Sequence, residues 1–293
     1  VTGIMLVDGN NLAMRSVHAM ARSPLSADGV RTGPALVFIN ALSKYVRDEQ
    51  PEKVVVCWDS GPSIFRTALY AGYKANRTSP STGIDESKRT AFALIKEFLA
   101  LANVHQVERA GYEADDLVAW YVGNRMSGER VVILSSDKDF LQLLAPDVQQ
   151  IRLSSGGAPT DRWTVERVRE EFGCEPEHLA LAMALAGDET DGVPGVPRFG
   201  MKTALKHLAR HDWVLDAIDH PSVQEHREQV EIALRLVDLR IPAEGLVLPV
   251  LPPFEPTRTD SALFGTLVSF LLRYQMDTIK ARVYSGELWK EQP

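Results

Sequence analysis

Ile4-Met5-Leu6-Val7-Asp8 begins the pattern that decides the fold: four apolar residues in a row, stopped by an acid. The same arrangement returns in Val54-Val55-Val56-Cys57-Trp58-Asp59 and in Val131-Val132-Ile133-Leu134-Ser135-Ser136-Asp137. Short apolar runs without alternation suit strands buried on both faces, as a parallel sheet covered by helices requires. Helix-period stretches lie between them, so the predicted fold class is α/β, with a parallel sheet and helices on both faces. Ligands of open α/β sheets bind just beyond the carboxyl ends of the strands. Asp8, Asp59 and Asp137 stand at those ends and are expected to meet in one crevice.

Outward from the strands, the segment from Gly61 to Asn103 has a different character, with turn signals at Ser79-Pro80-Ser81-Thr82-Gly83 and the basic residues Arg66, Lys74, Arg77, Lys88, Arg89 and Lys96. It reads as a partly mobile, cationic insertion over the crevice. After Asp161 helical periods dominate: Val165 to Phe172, Leu179 to Ala186, Lys202 to Arg210 and Glu225 to Leu236. A Pro-rich stretch from Pro242 to Pro256 precedes a last amphipathic helix near Ala262 to Tyr274. The expected organisation is a core over residues 1–177 with the insertion at about 61–103, a helical module over 178–275, and a tail over 276–293.

The 293 residues, with 45% hydrophobic and 24% charged side chains, fit an ordinary globular chain and exclude collagen, coiled coil and disorder. No apolar run approaches the roughly 20 residues of a membrane helix. Cys57 and Cys174 lie in no CxxC motif, which suits a reducing, cytosolic setting without a disulfide. Net charge is −7, from 32 basic and 39 acidic residues, an average that argues weakly against a nucleic-acid partner.

Where the acids lie changes that reading. Glu113-Ala114-Asp115-Asp116 opens an apolar helix and is suited to capping it, but three acids in four residues repel one another unless a cation stands among them. In Asp137-Lys138-Asp139 the two carboxylates share one side of an extended segment. Asp188 and Asp191 point the same way if their turn is helical. Each group alone is more often a cap or a solvated turn than a metal site. Together Asp8, Asp59, Glu113, Asp115, Asp116, Asp137, Asp139, Asp188 and Asp191 make nine hard oxygen donors, which favour Mg²⁺ or Mn²⁺ over zinc. Two such ions about 4 Å apart form the clamp used in phosphodiester hydrolysis. Setting the nine aside leaves 30 acidic against 32 basic residues, so the remaining surface is close to neutral.

A second signal is the stretch from Asp188 to Ala204, where Gly192, Gly195 and Gly200 feed a helix that starts with Lys202 and Thr203. Backbone N–H groups at such a helix start suit a phosphate, although a tight helix–helix connection would use the same residues.

Taken in order, Val7-Asp8-Gly9-Asn10-Asn11-Leu12, Tyr73-Lys74-Ala75-Asn76-Arg77, Gly111-Tyr112-Glu113-Ala114-Asp115-Asp116, Ser136-Asp137-Lys138-Asp139 and the Gly187 to Ala204 stretch resemble the motifs of the 5′ nucleases. That family comprises the phage flap endonucleases/5′-3′ exonucleases and the N-terminal nuclease domain of bacterial DNA polymerase I. The resemblance implies a PIN-like core, a helical arch, and a helix-three-turn-helix element gripping duplex DNA, usually with K⁺. It implies that the nine carboxylates hold two or more Mg²⁺ or Mn²⁺ ions, with Asp188 and Asp191 completing the second site. Lys74 and Arg77 would stabilise the scissile phosphate and Tyr73 would stack on a base. Arg66, Lys88, Arg89, Gly195, Arg198, Gly200, Lys202 and Thr203 would face DNA. The implied activity is cleavage at 5′ flaps and 5′ ends during replication or repair, with RNA primers among the substrates. A free-standing monomer is expected, in bacterial or phage-infected cytoplasm, alongside replication proteins and away from membranes.

The chain departs from the family pattern twice: Asp191-Gly192 replaces Asp-Asn, and Arg198-Phe199-Gly200 replaces Gly-Ile-Gly at the K⁺ loop. Two rival readings fit the residues less well. A phosphatase with an Asp nucleophile would want a second acid where Asn10 stands, and a DNA-binding protein without catalysis would be expected to have lost carboxylates, whereas none of the nine is missing. His207 and His211, four apart, read as a solvated helix face rather than a zinc site.

Overall fold

The computed structural model describes residues 3–20, 26–27, 29–75, 82–153, 160–215, 218, 220–241, 243, 245–258 and 261–290. In chain order the elements are β1 (Ile4–Asp8), α1 (Gly9–Ala19), β2 (Ser26–Ala27), β3 (Val30–Arg31), α2 (Gly33–Glu49), β4 (Lys53–Trp58), α3 (Ile64–Leu69), α4 (Thr82–Leu101) and β5 (His105–Glu108). There follow α5 (Ala114–Gly123), β6 (Val131–Leu134), β7 (Val148–Arg152), β8 (Asp161–Trp163), α6 (Val165–Phe172), α7 (Leu179–Ala186), α8 (Met201–Leu208), α9 (Pro221–Glu225), α10 (Arg227–Val237), α11 (Phe264–Arg273) and α12 (Asp277–Tyr284). Short 3₁₀ turns cover Asp139–Leu143 and Pro176–His178. The α/β class and the mainly parallel strands are those read from the apolar runs.

The chain divides into two compact units, residues 1–58 with 80–108 and 249–293, and residues 59–79 with 109–248. This differs from a single boundary at 177/178, because both units are assembled from segments distant in sequence. In the first, β4 pairs in parallel with β1, Ile4 opposite Lys53, and with β5, Val55 opposite His105. Every residue of β1 is buried, as its unbroken apolar run requires. Asp8 ends the strand and caps α1, accepting the Asn11 N–H at 2.9 Å.

Helix α4 buries Ala91, Leu94, Ile95, Phe98 and Leu99, one apolar stripe at helical spacing, and Phe98 meets Phe270 of α11 with ring centroids 6.3 Å apart. That corrects two expectations. From Ala91 to Leu99 the supposed arch is a covering helix of the core, and Thr82 and Gly83 open α4 instead of extending a turn, while residues 76–81 lie outside the described ones. Of the expected tail, residues 276–290 are described and packed: α12 buries Ile279, Leu288 and Trp289 are buried beyond it, and Arg282 donates to Asn40 Oδ1 at 3.0 Å and to Ser43 Oγ at 3.1 Å.

In the second unit β6 and β7 run parallel and β8 returns antiparallel to β7. Its helical part packs Ala182, Leu185, Val196, Phe199, Ala204, Leu208, Val230 and Ala233 into one apolar cluster. Among the described residues no helix is long and apolar enough to cross a membrane.

Candidate active site

All but one of the nine sequence-selected carboxylates lie in the second unit; the exception, Asp8, ends β1 in the first. Asp59 follows β4, and its Oδ1 accepts the Ala114 N–H at 2.7 Å, so it closes an open donor at the start of α5. Glu113 is the N-cap of that helix, and its own N–H donates to Asp116 Oδ2 at 3.0 Å, the reciprocal half of a capping box. The capping reading therefore holds for both of these acids.

They also carry ion pairs. Arg66, only 5% exposed, reaches Asp116 Oδ1 at 2.8 Å and Glu113 Oε2 at 3.2 Å, and its Nε donates to the Leu236 carbonyl at 2.9 Å. The Tyr73 hydroxyl donates to Glu113 Oε2 at 2.8 Å, and Lys74 Nζ reaches Glu113 Oε1 at 2.6 Å. Burial opposes the Arg66 charge, yet the field and hydrogen bond of Asp116, with Tyr73 and Glu113 adding to it, raise its pKa above the ordinary arginine value. Burial, with Glu113 adding to it, likewise raises the Tyr73 phenol, so it stays protonated and donates.

Two expectations need correction here. Arg66 does not face DNA: it is an interior ion-pair partner, because its guanidinium is buried and pairs with two buried carboxylates, Glu113 and Asp116. Tyr73 is only 7% exposed and committed to Glu113, so no face of its ring is presented for a base to stack on. Arg77 lies outside the described residues. Lys88 sits 5.8 Å from the centre of the Phe92 ring, and Arg89 is exposed on the same helix.

Lys74 adopts φ +53°, a left-handed conformation that costs a non-glycine residue about 1 kcal/mol. Its N–H donates to the Asp191 carbonyl at 2.7 Å, and Nζ stands 3.9 Å from Asp191 Oδ2. The turn carrying Lys74 is thus docked against the 188–193 turn. Gly192 makes that docking possible, since a Cβ there would collide with the Gly72 carbonyl oxygen. Departure from the family's Asp-Asn therefore has a local reason: only glycine fits.

The turn from Asp188 to Asp191, whose acids would share a face if it were helical, is a tight reversal closed by an Asp188–Val193 bridge, with Asp188 Oδ1 accepting the Thr190 N–H at 2.7 Å. Likewise Asp137-Lys138-Asp139 is not extended: Lys138 is helical in backbone, and the Asp139 N–H donates to Asp137 Oδ1 at 3.0 Å. What brings these acids together is the fold. Burial and then the charges of Asp137, Asp191 and Asp188 push the Asp139 carboxyl up to about 7, with Lys74 acting in the opposite sense. No three Asp, Glu, His or Cys side chains among the described residues are near enough to one another to hold a metal as they stand.

Sequence reading missed Gln150, a buried amide whose Nε2 donates to the Ser135 carbonyl at 2.9 Å and also to the Asp137 carbonyl, bracing the loop that carries Asp137 and Asp139. The available signal was a polar residue inside the β7 run. Of the glycines assigned to phosphate, Gly195 serves the chain itself, since a Cβ there would lie 2.5 Å from the Ala186 carbonyl oxygen. Gly200 is the N-cap of α8, with Lys202 exposed and Thr203 half-buried in the first turn. Arg198 is exposed at φ +68° and Phe199 is buried in the apolar cluster.

Residues 3–173 match the family model described as the 5′-3′ exonuclease N-terminal, resolvase-like domain. The chain belongs to the 5′-3′ exonuclease family. A 5′-3′ exonuclease of Bacillus subtilis is 32% identical over 241 residues, covering 81% of this chain and 80% of that protein. DNA polymerase I of Mycobacterium leprae is 33% identical over 234 residues, covering 79% of this chain and 25% of the polymerase. The chain thus spans about a quarter of the length of the polymerases it matches. Among solved structures, the T5 D15 protein co-crystallized with metal ions superposes with a TM-score of 0.69 at 19% identity, covering 98% of this chain and 99% of that one. T5 5′-exonuclease with divalent metal ions (zinc) gives 0.68 at 23% identity, covering 81% and 89%. At these identities the likeness establishes the 5′-3′ exonuclease fold.

Proposed function

We propose that the chain is a structure-specific 5′ nuclease that hydrolyses phosphodiester bonds at 5′ flaps and 5′ ends of DNA with the help of divalent cations. The observation that carries this reading is the docking of the Lys74 turn on the 188–193 turn, Lys74 N–H to the Asp191 carbonyl at 2.7 Å, in the same unit as Asp137 and Asp139, where burial and the neighbouring carboxylates raise the Asp139 carboxyl. A cluster of hard oxygen donors that resists its own ionisation is matched to a hard divalent cation, Mg²⁺ or Mn²⁺, which would hold the carboxylates ionised. Asp115, Asp137, Asp139, Asp188 and Asp191 are the proposed ligands, with Asp59, which closes the start of the helix carrying Asp115, as a further one, and Asp8 is proposed on its motif. Glu113 and Asp116 remain candidates that would first have to share their ion pairs. The bound ions would supply charge for the attacking and leaving oxygens.

Lys74, held in a strained backbone 3.9 Å from Asp191, is the proposed contact to the reacting phosphate, with Arg77 beside it in sequence. The segment from α7 through α8 is the proposed DNA-gripping element, with Arg198, Gly200, Lys202 and Thr203 turned to phosphates. Because Arg198 takes the left-handed conformation natural to glycine, the carbonyl path expected of a K⁺ loop is compatible with this sequence. Support from outside the chain is the T5 D15 flap endonuclease, whose structure is a pseudo-enzyme-product complex with DNA and metal ions.

The test is a gel assay with 5′-labelled flap, nicked, blunt and RNA/DNA substrates, in Mg²⁺ and in excess EDTA. Cleavage at the flap junction or 5′ end in Mg²⁺ alone is expected. Binding without cleavage, or cleavage that survives EDTA, refutes the reading.

A further inference from the structure

The acid-rich start of α5 is held by one buried arginine, and that hold extends to Lys74. Arg66 takes Asp116 with both ends of its fork, Nη1 to Oδ2 at 3.0 Å and Nη2 to Oδ1 at 2.8 Å. The same Nη1 reaches Glu113 Oε2 at 3.2 Å, and Nε is anchored on the Leu236 carbonyl at 2.9 Å. Glu113 Oε2 also receives the Tyr73 hydroxyl at 2.8 Å, which leaves Oε1 for the Lys74 ammonium at 2.6 Å. Two cations and two carboxylates balance within this set, and Asp191 Oδ2 stands 3.9 Å from the same ammonium. Only a planar guanidinium can grip one carboxylate with two nitrogens, touch a second and still reach a carbonyl; an ammonium offers a single point charge.

We propose that Arg66 is a positioning residue for phosphodiester cleavage: by occupying Asp116 and one oxygen of Glu113, it leaves Lys74 one hydrogen-bonding acceptor among the described residues, Glu113 Oε1, with Asp191 Oδ2 farther off at 3.9 Å, and so sets where the ammonium stands. This rests on the 5′ nuclease reading above. The Lys74 backbone is already pinned by its N–H to the Asp191 carbonyl at 2.7 Å, so the tip of the side chain is the part left to adjust. Without the fork, both oxygens of Glu113 and the freed charge of Asp116 would compete for that tip and draw it away from a phosphate.

A purely structural Arg66 would fill and neutralise the interior and do nothing more. The two roles differ in their coupling to Lys74. Single-turnover cleavage of a 5′-flap substrate in Mg²⁺ is measured for wild type, Arg66→Lys, Lys74→Ala and the double variant. Arg66→Lys is expected to lower the rate by about 10- to 30-fold with KM for DNA within about threefold, and to cost less than about twofold in the Lys74→Ala background. Equal losses in both backgrounds overturn the proposal.

A second measurement does not depend on cleavage. The side-chain ammonium resonance of Lys74 in ¹⁵N NMR should move in Arg66→Lys while the backbone spectrum stays folded, and an unmoved resonance also overturns the proposal. If the wild type cleaves nothing but the resonance moves, the nuclease reading falls and the positioning contact stands. Should Arg66→Lys fail to fold, Glu113→Gln, which keeps the shape of the holder but not its charge, is run through the same cycle with the same expected loss of additivity.

Discussion

Replacing Asp139 by Asn tests the crowding that underlies the proposed site. The Asp139 carboxyl rises from an ordinary 3.8 to about 7, first through burial and then through Asp137, Asp191 and Asp188. Between those two values the unfolded chain has released this proton and the folded chain has kept it, so stability falls as pH rises through the window and is unaffected below it. A rise of about three units, at about 1.4 kcal/mol each, sets an upper bound of about 4 kcal/mol by pH 8. Part of that is already lost at pH 5, which leaves about 2–3 kcal/mol between pH 5 and pH 8.

Urea unfolding in EDTA at the two pH values should therefore show wild type losing about 2–3 kcal/mol relative to Asp139→Asn, with the variant the more stable at pH 8. Saturating Mg²⁺ should remove most of the wild-type loss, because a cation among the carboxylates favours their ionised forms. Curves for wild type and variant that stay parallel across this range would refute the crowding argument.

Lys74→Ala is expected to slow single-turnover cleavage by about 10² to 10³ with a smaller effect on DNA affinity, and a change in affinity alone would make Lys74 a binding contact only. Arg198→Gly should raise stability by about 0.5–1 kcal/mol, read as a higher urea midpoint, since the φ of +68° is strained for arginine and free for glycine. Arg198→Ala should weaken duplex binding and reduce the salt slope by about 1, measured in a catalytically dead background; an unchanged slope means the side chain points into solvent. Gly192→Ala places a Cβ against the Gly72 carbonyl oxygen, so it should undock the Lys74 turn and lower cleavage at least 10-fold with a small change in melting temperature. Full activity in that variant would show that the docking is dispensable.

The α/β class was legible because a strand buried on both faces must be apolar throughout, and β1, β4 and β6 were visible from their residues alone. Helices α6 and α8 were legible from an apolar stripe at helical period, and α7 as an apolar run of good helix formers that is buried nearly all round. The acids at strand ends and at the start of α5 were also legible, because charge among buried apolar neighbours is costly and stands out. What the sequence could not give was the partner of each charge. Arg66 reads as one of six basic residues in a cationic segment, and only the fold, by bringing residue 66 beside residues 113 and 116, makes it an interior cation. Gly192 looked like part of a phosphate loop until Gly72 was found against it. Local pattern records which apolar residues are buried, because that depends on their own chemistry and period. Pairing depends on loop closures across tens of residues, which leave no periodic trace in the chain and are decided only when the core packs.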